Sequence, residues 1–299
     1  MFLNRGDNTM ESGGRTKVRI IPTNLVGKYS RLKEILGSMD SVLVAFSGGV
    51  DSSLLLKVSS EVLGERAMAV TANSPTYQQR EIKEARGIAR SLKVRFMVIN
   101  SDEFQSALFR KNTPFRCYHC KLSLFSKLKK IAREHELAQV IEGSNLDDDL
   151  DYRPGNKAIQ KLRIRSPLKE AGFRKKDIRE LARILGLPSW NKPSMACLAS
   201  RIPFNQPIEV EVLRRIEKAE EYLRQTGFSQ VRVRHHGEIA RIEVNPAEFN
   251  LLMDEENRKK IASRLKRLGY RYTTVDIEGY RTGSLNPEGK SYNRKIQNN

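Results

Sequence analysis

No stretch of this 299-residue chain comes near the roughly 18 successive uncharged apolar residues that a membrane-spanning helix needs. The amino end meets polar and charged residues before any long apolar run, so it lacks the hydrophobic segment of a secretory signal. The expectation is a soluble cytoplasmic protein with no membrane partner. Cysteine is scarce too: there are three, an odd number that cannot pair fully within the chain. With 39 % hydrophobic residues the chain can build one large or two medium cores, which excludes a small disulfide-stapled scaffold. The thiols are therefore free, metal-bound or chemically used. Acidic residues are in deficit, 35 against 54 Lys and Arg, and the formal charge of +19 at pH 7 predicts attraction to anions. That charge is scattered rather than gathered into one basic arm, and aromatics make up only 7 %. Pockets for nucleotides and phosphates account for it better than a nucleic-acid track. The spacing GxxxxGK[ST] is missing, which disfavours γ-phosphate chemistry of the kinase or GTPase kind. No internal repeat of useful length is found.

What is there begins with alternation. The apolar runs SVLVAF, RAMAVTA, VRFMVIN and AQVIEGS read as buried parallel strands, separated by amphipathic helical stretches such as YQQREIKEARGIARSL and LSLFSKLKKIAREH. This pattern predicts an α/β sheet covered on both faces, with ligand sites beyond the carboxyl ends of the strands. The loops starting at Ser47, Ala72, Asn100 and Gly143 then share one rim. Residues 145–166 lack periodicity and are expected to form a loop over that rim. KKDIRELARILGLP closes the unit as a helix, and four prolines between Pro188 and Pro207 mark a linker carrying Cys197. Helix, two alternating strands, helix and a further strand follow, a small α+β unit.

The sharpest local signal is VLVAFSGGVDSS. A strand ends at Phe46, Gly48 and Gly49 let backbone approach a ligand, and Ser52 opens a helix whose first amides suit a pyrophosphate. Ser47, Gly48, Gly49, Asp51 and Ser52 are the candidate nucleotide-binding residues, with Asp51 placed to hold magnesium or orient the loop. Asn145 and Asp148, in the acidic run after the fourth strand, are candidates for contact with metal or nucleotide. Ser74 and Arg80 lie beyond the second strand, Ser74 where base and ribose would sit and Arg80 toward the substrate. The loop resembles that of the pyrophosphate-loop (PP-loop) family of ATP-using adenylating enzymes. The resemblance implies that ATP is split between its α and β phosphates, leaving AMP on a substrate oxygen, with Mg2+ on the triphosphate.

Cys117 and Cys120 form a CxxC pair in PFRCYHCK, open to zinc, an iron–sulfur cluster or dithiol chemistry. Cys197 stands in PSMACLASRIP, where Lys192 and Arg201 could favour its thiolate, and Arg201 is also a candidate substrate contact. In QVRVRHHGEIARIEV, Arg232 and Arg234 project from one strand face as a fork suited to phosphate or carboxylate. His235 and His236 are turn residues of which one is expected to be idle.

Taken together, SGGVDSS, RCYHCK, GSNLDD, PSMACLASRIP and VRVRHHGEIARIEV resemble the LarE family, ATP-dependent sulfur-insertion enzymes of nickel-pincer nucleotide synthesis, over about residues 29–279. The resemblance implies a Rossmann-like PP-loop domain over 27–187, after a leader of 1–26. A linker over 188–206, an α+β substrate and oligomerisation domain over 207–280 and a tail complete the chain. It implies adenylation of a carboxylate of pyridinium-3,5-biscarboxylic acid mononucleotide, then conversion to a thiocarboxylate. Arg232, Arg234 and Glu243 would lie near the phosphoribosyl part. Sulfur would come from a sulfide on a [4Fe-4S] cluster held by Cys117, Cys120 and Cys197, or from Cys197 itself, sacrificed to dehydroalanine. Three thiolates leave one iron open, which favours the cluster. Self-association into a homo-oligomer is expected from the family and from the apolar helix after Pro207. The rival readings are a transfer-RNA thiolation enzyme and a non-enzymatic RNA-binding or iron–sulfur scaffold protein; an ammonia-using ligase would need no cysteines.

Overall fold

The computed structural model describes residues 21–149, 154–193, 196–281 and residue 285. Helix α1 (Thr23–Gly37) comes first, with Leu25, Leu32, Ile35 and Leu36 buried along one stripe. It starts inside the expected leader, because Leu25 already belongs to the core; residues 1–20 of that leader and nearly all of the expected tail lie outside the described residues. Strand β1 (Val42–Ala45) leads into α2 (Val50–Leu63), β2 (Ala67–Asn73), α3 (Gln79–Ser91) and β3 (Arg95–Asn100). After the one-turn α4 (Ala107–Arg110) come α5 (Arg116–Glu134) and β4 (Gln139–Ile141).

The strands form one parallel sheet in the order β3-β2-β1-β4. Its two faces are both apolar, since successive side chains of a strand point opposite ways. Val42 and Val44 pack with α1, α2 and α8 (Lys175–Ile184) on one side; Leu43 packs with Phe125, Leu128 and Ile131 of α5 on the other. Strand order reverses between β2 and β4 on either side of β1, the place where such sheets open a crevice at their carboxyl ends.

Two local expectations need correction. The stretch 145–166 is not all loop: a 3-10 turn covers Leu146–Asp149 and α6 covers Gly155–Lys161, Ala158 and Ile159 being buried against the α5 side; residues 150–153 lie outside the described residues. The short α7 (Pro167–Glu170) links α6 to α8. The CxxC pair does not precede a helix but opens it, with α5 starting at Arg116 right after the turn at Pro114.

The second sheet has the order β5-β6-β7, from β5 (Val231–His236), β6 (Ile239–Val244) and β7 (Tyr272–Val275), with β5 and β6 antiparallel. Helices α9 (Val210–Gln225) and α11 (Glu255–Arg267), with the short α10 (Phe249–Met253) between β6 and α11, cover one face. The apolar stripe of α9 that suggested self-association is spent inside the chain: Leu213 and Ile216 pack on the turn after Cys197, and Ala219 and Leu223 pack on β5 and β6. No described helix is long and apolar enough to cross a membrane.

Candidate active site

The loop after β1 is built for close backbone approach. Gly48 has φ +70°, a conformation costly for any residue with a side chain, and a Cβ there would stand 3.1 Å from the Cβ of Ala85. Gly49 brings no side chain to cap α2, so the amides of its first turn stay available to an anion. The Ser47 and Ser52 hydroxyls lie 3.1 Å apart and brace the loop, with Ser52 Oγ also donating to the Gly49 carbonyl at 3.2 Å. At the end of β4, Gly143 presses on the start of α2: a Cβ there would meet the Ser52 amide nitrogen at 3.0 Å.

These elements surround a cavity of about 290 Å³, lined by Ser47, Asp51 and Ser52 from the loop, Glu142, Gly143, Ser144 and Asp148 from the β4 side, and Val70, Thr71, Ala72 and Ile82 from the β2 side. Tyr77, Glu81, Cys120 and Lys121 complete its wall. Of the predicted nucleotide residues, Ser47, Asp51, Ser52 and Asp148 face this one space. Asn145 stands behind them, donating from Nδ2 to Asp51 Oδ1 at 3.4 Å and from its amide to Asp148 Oδ2 at 2.9 Å. Ser74 does not line the cavity. It is 2 % exposed and donates to Glu103, itself 1 % exposed and reached also by the hydroxyl of Ser101, so its work is to shape the loop after β2. Arg80 is turned to Gln78, donating from Nε to Oε1 at 2.9 Å.

Sequence reasoning missed Lys175. It donates to Asp51 Oδ2 and so places a cation at the phosphate loop. The available hint was its position in the first turn of α8, where the helix dipole disfavours positive charge. Lys192, expected beside Cys197, instead pairs with Glu84 at 2.6 Å and donates to the Gly48 carbonyl at 3.3 Å. Burial raises the Glu81 carboxyl above its ordinary value, partly offset by Lys192, Arg80 and Arg201.

The three cysteines are free, half-buried thiols, and Cys120 lines the cavity. Cys117 and Cys120, three apart in the first turn of α5, share a helix face. Cys197 precedes a 3-10 turn (Leu198–Arg201) that is pinned to the loop after β2 by Leu198 N donating to the Thr76 carbonyl at 2.7 Å. Cys120 and Cys197 pack against the same apolar group of Phe109, Leu198, Ala199 and Ile202. Burial, then the charges of Glu103, Cys197 and Cys117, push the Cys120 thiol well above its ordinary value. Burial and Cys197 also raise Cys117, against the pull of Arg116 and Lys121. Charge on Cys197 therefore disfavours ionisation at both Cys117 and Cys120. Among the described residues no group of three or more His, Cys, Asp or Glu side chains is arranged to hold a metal ion.

Arg201 corrects the expectation of a substrate contact. It is fully buried and grips Glu220 of α9 through Nε at 2.8 Å and Nη2 at 3.1 Å, while Nη1 donates to the carbonyls of Ala196 at 2.6 Å and Cys197 at 3.1 Å. Its guanidinium is consumed in holding the Cys197 loop against the second domain. Burial alone would raise Glu220, yet Arg201, with Arg232 and Arg224, holds that carboxyl below its ordinary value. Gln78 Nε2 reaches the same carboxylate at 3.0 Å, so Glu220 ties the loop before α3 and the thiol loop to α9. Arg232 and Arg234 do share one face of β5, but both are 5 % exposed rather than solvated. Arg234 binds Glu243 through Nε at 2.9 Å and Nη2 at 2.7 Å, and its Nη1 donates to the Ser200 carbonyl at 2.9 Å. Arg241, directly across from Arg234 in the ladder, shares Glu243 at 3.3 Å.

A doubly covered parallel sheet with a glycine loop at its switch point defines an enzyme of the PP-loop, ATP-using class. Residues 30–133 match the family model of NAD synthase. The chain is 38 % identical over 266 residues to the pyridinium-3,5-bisthiocarboxylic acid mononucleotide synthase of Lactiplantibacillus plantarum, covering 88 % of this chain and 95 % of that one. It is also 38 % identical over 262 residues to an uncharacterised Synechocystis protein, covering 88 % and 98 %. An uncharacterised protein of Methanocaldococcus jannaschii shares 31 % over 241 residues, covering 81 % and 91 %. The chain belongs to the family of the L. plantarum synthase, the LarE family resembled in its motifs.

Proposed function

We propose that this enzyme inserts sulfur into pyridinium-3,5-biscarboxylic acid mononucleotide at the expense of ATP. The observation that carries the reading is that one cavity has the phosphate loop on one wall and Cys120 on another. ATP would lie with its phosphates on the loop amides, Ser47 and Ser52. Lys175 and Lys192 are then at hand to balance the charge that collects as pyrophosphate leaves. Asp51 and Asp148, both facing the cavity, are the residues that would hold Mg2+, which would neutralise the phosphate oxygens. A substrate carboxylate oxygen attacks the α-phosphorus, the bond to the bridging oxygen of pyrophosphate breaks, and an acyl adenylate results. Sulfur arriving from the Cys117, Cys120 and Cys197 region then displaces AMP.

Thiols are the donor type an iron–sulfur cluster takes, and the chemistry of the set suits one: Cys120 and Cys197 pack on one apolar group and Cys117 stands one turn of α5 from Cys120. When bound through Cys117, Cys120 and Cys197, a [4Fe-4S] cluster would supply an open iron able to carry an extra sulfide. Arg201 and Arg234 hold the Cys197 loop against α9 and β5, and Arg232, Arg234 and Glu243 are the residues proposed for the phosphoribosyl end.

Pyrophosphate release tests the reading. It is expected with the pyridinium mononucleotide and not with transfer RNA; release with transfer RNA alone would replace the proposal with RNA thiolation. Anaerobic iron analysis together with intact mass after turnover decides the sulfur source. About four irons and an unchanged mass support the cluster; loss of one sulfur from Cys197 supports sacrifice.

A further inference from the structure

We infer that Tyr77 is a catalytic residue whose phenol donates a hydrogen bond to the acyl oxygen of the adenylated substrate while sulfur attacks. The inference rests on the adenylation and sulfur-transfer reading above. Tyr77 lines the cavity together with Ser47, Asp51 and Cys120, so it touches the space between the phosphate loop and the thiols. The chain holds it there firmly. Its own amide donates to the Ser74 carbonyl at 3.0 Å, and its neighbour Thr76 accepts from Leu198 N at 2.7 Å, which ties the tyrosine's loop to the residue after Cys197. Ser74 and Thr76 anchor through their hydroxyls on the buried Glu103. The tyrosine therefore moves with the thiol loop rather than with solvent.

Among the described residues the Tyr77 hydroxyl makes no hydrogen bond to the protein, although its amide is engaged. Tyr77 is half-buried, and a phenol without a protein partner that faces a cavity is available to a ligand. A phenol ordinarily ionises only near pH 10, so at neutral pH it is a protonated donor.

The chemistry has a use for such a donor. A sulfur nucleophile, thiolate or hydrosulfide, adds to the carbonyl carbon; the new C–S bond forms as the carbonyl π pair moves onto oxygen. That oxygen accepts the Tyr77 hydrogen bond. Collapse breaks the bond from carbon to the phosphoryl oxygen, and AMP leaves with the electron pair. A hydrosulfide's proton passes to solvent. One preorganised donor at a developing oxyanion is worth about 100-fold to 1000-fold in rate.

The test separates the two half-reactions in the intact, metal-loaded enzyme. Tyr77→Phe is expected to keep substrate-dependent ATP–pyrophosphate exchange within about twofold of the parent, while single-turnover thiocarboxylate formation, followed by mass, falls about 100-fold. Tyr77→His, which keeps a donor, is expected to recover part of that loss. Transfer by Tyr77→Phe within about threefold of the parent, or equal losses in exchange and transfer, would overturn the inference. If Tyr77→Phe does not fold, Tyr77→His is judged by the same two readouts against the parent, and an unchanged ratio of transfer to exchange overturns it. Absence of exchange in the parent enzyme is a different failure, since it removes the adenylation reading and not the role of Tyr77 alone.

Discussion

Replacing Arg201 with methionine keeps most of the aliphatic stem and removes the charge that the Cys197 loop is built around. Both partners of the Arg201–Glu220 pair have side chains 0 % exposed, so the change leaves a buried carboxylate to Gln78 Nε2 at 3.0 Å, the Val233 amide at 3.2 Å, Arg224 at 3.5 Å and the charge of Arg232. The Ala196 carbonyl loses the Arg201 donor as well, and the Cys197 carbonyl keeps the Ser200 amide at 2.9 Å. Removing one member of a buried ion pair costs about 3–5 kcal/mol, a large part of the roughly 5–15 kcal/mol that keeps a domain folded. The double change Arg201→Met with Glu220→Leu removes both charges and is expected to cost at least about 2 kcal/mol less than the sum of the single changes. Urea unfolding of the four proteins measures the cycle. Glu220 is held below its ordinary value of 4.5, so the pair's contribution is present above that pH and is lost as the pH falls through the lower folded value. The same variants should lose sulfur transfer more than pyrophosphate release, since the thiol loop loosens while the phosphate loop does not. A cost under about 1 kcal/mol for Arg201→Met, or additive single changes, would refute the clamp.

Gly48→Ala is expected to destabilise by about 2–4 kcal/mol, from a left-handed backbone and contact with Ala85, and to abolish ATP binding in calorimetry. Gly49→Ala, whose Cβ would meet only the movable Ser47 hydroxyl at 3.3 Å, should stay within about 1 kcal/mol. Lys175→Met should weaken ATP binding about 10-fold to 100-fold without lowering the melting temperature much, as it removes a charged contact at the loop. His235 is lowered to about 4 by burial and by Arg215 and His236, so the unfolded chain takes its proton first and stability should decline as the pH drops from about 6.5 toward 4. Thermal melts of His235→Gln across that range should show a shallower decline.

The phosphate loop was legible because everything it needs is contiguous. Strand, glycines and helix start lie within a dozen or so residues, and the local rules of backbone freedom and helix termini act on neighbours. The parallel sheet was legible for a related reason, since apolar strands alternating with amphipathic helices admit few packings. The start of α5 was not, because Arg116 and the two cysteines carry no apolar periodicity of their own; the helix is extended backward by Pro114 and by the packing of Cys120 on Phe109 and Leu198, residues remote in the chain. Arg201 read as a substrate contact because an arginine beside a reactive thiol is usually exposed. Only the docking of α9 brings Glu220 to it and turns it inward. Lys175 was invisible for the opposite reason, as nothing near it in sequence names Asp51 as its partner.

By itself the amino-acid order determined the pyrophosphate loop, the class of sheet that carries it and the presence of three thiols with no internal pairing scheme, since each depends on residue type and close spacing. Tertiary structure alone decided that Cys197 packs on the same apolar group as Cys120, that a tyrosine lines one cavity with Cys120 and the phosphate loop, and that Arg201 and Arg234 bind carbonyls of the Cys197 loop. Those outcomes depend on how two sheets dock, and docking is set by the fit of whole buried faces, which no short stretch of sequence records.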